Sequence, residues 1–80
     1  MTVEIAIDPN LRVENNETVA LWSDILDGSE AEIFAGASVV VTEPESGLVG
    51  WGAITRIEPD YLQLYVDWKS LQYRTETTLV

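Results

Sequence analysis

Val3, Ile5 and Ile7 alternate with Glu4 and Ala6, and that period of two marks a strand with one buried face. Asp8-Pro9-Asn10 is a turn that stops it; Leu11 to Glu14 continues after the bend, until Asn15-Asn16-Glu17 supplies a polar connection. Further on, Val39 to Thr42 is a strand, and Glu43-Pro44-Glu45-Ser46-Gly47 is a turn with proline preset for its first corner and glycine free to take a positive φ. Val49 to Ile57 returns. Gly50 and Gly52 flank Trp51, and Ile54 and Ile57 stand three apart where a straight strand spaces its buried residues by two, so a bulge or sharp coil is expected here. After the turn Glu58-Pro59-Asp60, Leu62, Leu64 and Val66 form the buried face of the next strand, with Tyr61, Gln63 and Tyr65 on the other. Asp67-Trp68-Lys69-Ser70-Leu71 breaks the alternation. Trp68 and Leu71 would line up on one side of a single 3₁₀ turn capped by Asp67, and Gln72 to Thr77 is a short closing strand before a frayed end.

Glu17 to Gly28 reads two ways. Val19, Trp22, Ile25 and Leu26 fall on one helical face, which Asn16 can cap and Gly28 can end. A strand from Thr18 to Ser23 followed by an irregular acidic loop around 24–32 is the competing reading, and a β-rich context favours it. Asp24, Asp27, Glu30 and Glu32 in that loop invite a test against a calcium loop. With Gly28 at the invariant sixth position of an EF-hand, the third and twelfth positions are Ile25 and Phe34, neither of which supplies a carboxylate. The motif fails, and the acidic residues read as a solvated connection.

Eighty residues make one domain, 1–80, with no room for a second. Apolar residues are 46% and charged residues 22% of the chain, which is globular composition. Fourteen acidic residues face four basic ones, for a net charge of −10, with Arg12, Arg56, Lys69 and Arg74 scattered. Such a field repels phosphate backbones and anionic membranes, so neither nucleic acid nor a membrane is the expected partner. The chain has no cysteine, hence no disulfide framework, thiolate zinc site or redox chemistry, and a cytoplasmic or particle-bound setting is expected. No stretch approaches a membrane span, and the N-terminus lacks the pattern of a signal peptide. Asn16-Glu17-Thr18 matches a glycosylation acceptor, a three-residue pattern frequent by chance.

Without histidine or cysteine, a catalyst would rest on carboxylates, Lys69, tyrosines or serines, and an 80-residue barrel has little volume for a substrate cleft. No catalytic residue, cofactor or metal site is expected. Asp67 is explained by capping its turn and Trp68 by filling the mouth of a barrel. Trp51, between two glycines, is the residue best placed to be exposed, and with Tyr61, Tyr65 or Tyr73 it would make an aromatic partner-binding patch. The competing reading packs Trp51 under the Gly28 to Ala35 loop.

From Gly36 to about Thr77 the chain resembles an SH3-like barrel. The residues that carry the likeness are Gly36, Val39, Val41, Gly50, Gly52, Ile54, Ile57, Leu64, Val66 and the block Asp67 to Leu71. It also looks like small proteins of this type from actinobacteria and their phages. The resemblance implies an all-β fold, a single small barrel of five to six short strands with a 3₁₀ turn near the C-terminus. The Ala-Leu-Tyr-Asp-Tyr type segment and the Trp-Trp pair of proline-peptide binders are absent, so the resemblance does not carry a proline-peptide groove. Function stays open, because small barrels host many.

Two functions fit these residues. The first is a non-enzymatic protein–protein interaction module, an accessory or virion component if phage-encoded, that docks through an aromatic surface or a sheet edge. The second is an acidic mimic of nucleic acid that occupies the basic groove of a DNA- or RNA-binding protein. The carboxylates are spread over almost every turn instead of forming one stripe, which ranks the module first. Self-association is a further expectation for so small a barrel.

Overall fold

The structure, a computed structural model, describes residues 3–8, 10 and 16–73. The Leu11 to Glu14 extension and most of the Gln72 to Thr77 closing strand therefore lie outside the described residues. Those described form six strands and two 3₁₀ turns with no α-helix, the all-β small-barrel class expected from the sequence. The strands are β1 (Val3–Ala6), β2 (Glu17–Leu21), β3 (Ile25–Asp27), β4 (Ser38–Glu43), β5 (Leu48–Ile57) and β6 (Tyr61–Tyr73). They make one sheet in the order β2-β6-β5-β4-β1-β3, antiparallel throughout except for the parallel pair β1 and β4.

The two edge strands of this sheet, β2 and β3, are consecutive in sequence. Only the 3₁₀ turn Trp22–Asp24 separates them, so the sheet curls until its edges approach. Asp24 closes that corner by accepting a hydrogen bond from the Leu21 N–H at 2.9 Å. Trp22 packs against the core, and its indole N–H donates to the Glu58 carbonyl at 3.1 Å, tying the corner to the β5–β6 turn. Where the edges approach, Ala6, Ile7 and Asp8 line a small seam with Val19 and Asp24. The helical reading of 17–28 is thus not realised: pairing of Glu17 to Leu21 with Tyr65 to Tyr61 outweighs the local helical spacing.

The curl encloses a core drawn from alternate positions. Val3 and Ile5 come from β1, Ala20 from β2, Val39 and Val41 from β4, Ile54 from β5, and Leu62, Leu64 and Val66 from β6. Thr18 is the buried polar residue among them, and no buried side-chain polar atom of the described residues lacks a partner. The bulge expected between Ile54 and Ile57 is present, although Ile54 is buried and Ile57 is exposed. The register slips between Ile54 and Arg56, so Thr55 bulges out and Ile57 comes to pair with Leu62.

Asp67 to Leu71 differs from the sequence expectation. The 3₁₀ turns lie elsewhere, at Trp22–Asp24 and Glu30–Glu32, while β6 runs through this block as a wide bulge. Val49 pairs with Gln72 and Trp51 with Asp67, which leaves Gly50 alone opposite Trp68, Lys69, Ser70 and Leu71. Side chains do what the internal bonds of a 3₁₀ turn would have done. The Asp67 carboxylate accepts the Lys69 N–H at 3.2 Å, and the Ser70 hydroxyl donates to the Asp67 carbonyl at 2.6 Å.

Glycine makes this approach of β5 and β6 possible. A Cβ at Gly52 would stand 2.4 Å from the Tyr65 carbonyl oxygen, and one at Gly50 would stand 2.7 Å from the Ser70 hydroxyl and 2.9 Å from Leu71. Gly52→Ala is expected to destabilise the fold by about 1–3 kcal/mol or more, because the clash is with backbone that cannot move without opening the sheet. Gly36→Ala meets open space and carries only the strain of a positive φ, about 1–2 kcal/mol. Urea unfolding of the two variants checks the order.

Candidate interaction surface

The outward face of the sheet is set by the same alternation that fills the core. Opposite the inward pairs Gly52/Val66 and Ile54/Leu64, the pairs Trp51/Asp67 and Ala53/Tyr65 face outward. The register sets two rows. One runs Asp67, Trp51, Val40, Glu4 across β6, β5, β4 and β1; the other runs Glu17, Tyr65, Ala53, Ser38 across β2, β6, β5 and β4. Trp51 and Tyr65 are diagonal neighbours in these rows, close enough for large rings to share one surface.

Trp51 is 57% exposed, which removes the reading that it packs under the Gly28 to Ala35 loop. Its backbone is held where the ladder is broken, since the Trp51 N–H donates to the Ser70 hydroxyl oxygen at 2.9 Å. One serine therefore bonds both sides of the bulge. Beside the ring lies a shallow depression of about 230 Å³ lined by Val40, Val49, Gly50, Ser70 and Gln72. That is below the roughly 300–1,000 Å³ of a typical small-molecule site.

The four sequence-predicted partner-binding residues are not all brought together. Tyr65, 41% exposed, joins Trp51. Tyr61 shares the face but pairs with Leu21 at the other end of β2, about 13 Å further along β6. Tyr73, 72% exposed, pairs with Leu48 at the far end of the β5–β6 arm, beyond the bulge, and does not belong to the patch. Val40, Val49 and Asp67 complete the surface and were missed as site residues. A signal for Val40 was present, because the middle member of Val39-Val40-Val41 must face away from the core its neighbours fill.

Carboxylates frame the aromatic rings. Glu17 accepts hydrogen bonds from the Gln63 amide and from the Thr55 hydroxyl, and Glu4 accepts one from Thr42 at 2.7 Å. Trp68 lies on the flank instead of the outward face, half buried against the core, with its indole N–H donating to the Asn16 carbonyl at 3.1 Å. Arg56 pairs with Glu58. Among the described residues no group of histidine, cysteine, aspartate or glutamate is arranged to hold a metal, and no helix is long and apolar enough to cross a membrane.

At the tip of the β4–β5 hairpin, the Ser46 hydroxyl and N–H both donate to Glu43, and these bonds, with a further one from the Glu45 N–H, hold the Glu43 carboxyl below its ordinary range. Ser29 acts on Glu32 in the same direction through its N–H. No family model, no curated protein and no solved structure matches this chain.

A carboxyl whose value is lowered by folding stabilises the fold above its unfolded value and loses that contribution as pH falls through the lowered one. Ser46→Ala is accordingly expected to raise the Glu43 carboxyl toward its ordinary value. It should also reduce Glu43's share of the acid sensitivity of folding, the Ser46 and Glu45 N–H bonds keeping the rest. A carboxyl-detected NMR titration of both proteins measures the first effect, and urea unfolding at neutral and acid pH the second.

Proposed function

We propose that this chain is a non-enzymatic protein–protein interaction module that docks through the outward face of β4, β5 and β6 around Trp51. The observation that carries the reading is the exposure of Trp51 beside Tyr65, Val40 and Val49 on a sheet face whose backbone is held rigid at Ser70. Tryptophan and tyrosine on a preformed surface lose little conformational freedom on binding and are enriched where binding energy concentrates. A small barrel has few residues to spare for its core, so an indole left in water is a costly placement unless a partner covers it.

The acidic mimic differs in what drives association. Charge-driven capture of a basic nucleic-acid-binding protein weakens steeply with salt and is indifferent to one indole. Affinity capture from cell lysate at low and high salt, with the wild type and Trp51→Ala side by side, separates the two. The module predicts partners retained at high salt and reduced at least tenfold by Trp51→Ala, the scale of a hot-spot residue. Capture confined to low salt and unchanged by Trp51→Ala would replace this reading with the mimic.

A further inference from the structure

We infer that the occupant of this face is a basic, extended segment of a partner protein, with one arginine or lysine side chain lying between Trp51 and Tyr65 over the Asp67 carboxylate. The inference rests on the interaction-module reading and names its partner class. Asp67 is directly opposite Trp51 and two residues from Tyr65 on the same face of β6, so an acidic residue shares this exposed surface with two aromatic ones, its carboxylate accepting the Lys69 N–H at 3.2 Å. Ring faces are negative, and a cation within about 6 Å of a ring centre is attracted to them. Glu17 opposite Tyr65 and Glu4 opposite Val40 extend the negative field along both rows. Val40, beside Trp51 in the same row, supplies apolar surface for the methylene stem that such a side chain lays down behind its charge.

Other occupants fit less well. A second copy of the chain would bring ten more negative charges to a face already framed by carboxylates, and a nucleic acid would bring phosphates. A small neutral ligand finds the shallow depression beside Trp51 and a cleft of about 470 Å³ at Asn16, Tyr65, Asp67, Trp68 and Lys69, whose charged lining suits an ionic group better than a neutral one. Lys69 opposes the proposed cation, since it lines the flank with Tyr65, Asp67, Trp68 and Asn16. It provides a control of opposite sign.

The probe is a blocked peptide of alternating arginine and threonine, titrated into the isotope-labelled full chain at one low salt concentration and followed by NMR. Shifts are expected to centre on the Trp51 indole N–H, Tyr65 and Asp67. Trp51→Ala and Asp67→Asn should each weaken binding roughly threefold or more, the scale of one cation–π or surface charge contact. Asparagine keeps the oxygen that accepts the Lys69 N–H, so the bulge survives that change. Lys69→Gln should tighten binding, and Glu45→Gln, on the hairpin tip, should leave it unchanged. Shifts spread over the acidic loops, with Glu45→Gln as damaging as Asp67→Asn, would mean diffuse attraction to net charge and would overturn the inference. If Trp51→Ala abolishes capture of a protein partner while the arginine peptide does not bind, the docking face stands and its cationic occupant does not. If capture ignores Trp51, both readings fall.

Discussion

The curl of the sheet depends on one covalent fact. Leu21 ends one edge strand and Ile25 begins the other, and the three residues between them cannot span a flat six-stranded sheet. Strands lie about 4.8 Å apart, so a flat sheet of this order would separate its edges by about 24 Å. Closing that distance bends every intervening strand pair and turns one face into an interior. Trp22 occupies the bend and reaches the β5–β6 turn, so the residue that makes the corner also braces it.

β5 and β6, the longest strands, carry two slips of register where they pair. Gly50 and Gly52 give up side chains on the inner side so that β6 can pass close over β5, and Leu71 and the Tyr65 carbonyl take the vacated space. On the outer side the effect is geometric. The residue between two inward glycines is thrust outward on a convex surface, and here that residue is Trp51. The direction of its side chain is therefore set by how the core closes.

Much of the fold was legible because burial imposes a period. Leu62, Leu64 and Val66 read directly as an inner face, and the three-residue step from Ile54 to Ile57 revealed a bulge that the register places at Thr55. Tyr65 was legible as a surface residue for the same reason, whereas the two glycines around Trp51 left its exposure open against packing under the Gly28 to Ala35 loop. The features that escaped were decided by partners distant in sequence. Whether Glu17 to Leu21 became strand or helix was set by β6, more than forty positions away, and whether Asp67 to Leu71 coiled on itself or bulged was set by the room left at Gly50. Grouping Tyr73 with Trp51 failed for a related reason, since composition says nothing of how far a strand continues past a bulge.

The parallel pairing of β1 with β4 carries a consequence for the order of assembly. β4, β5 and β6 are joined by short turns and meet their neighbours locally, whereas Val3 must find Val39, thirty-six positions along the chain. Loop-closure entropy penalises the long step and spares the short ones, so the meander is expected to form first and the N-terminal strand to dock last.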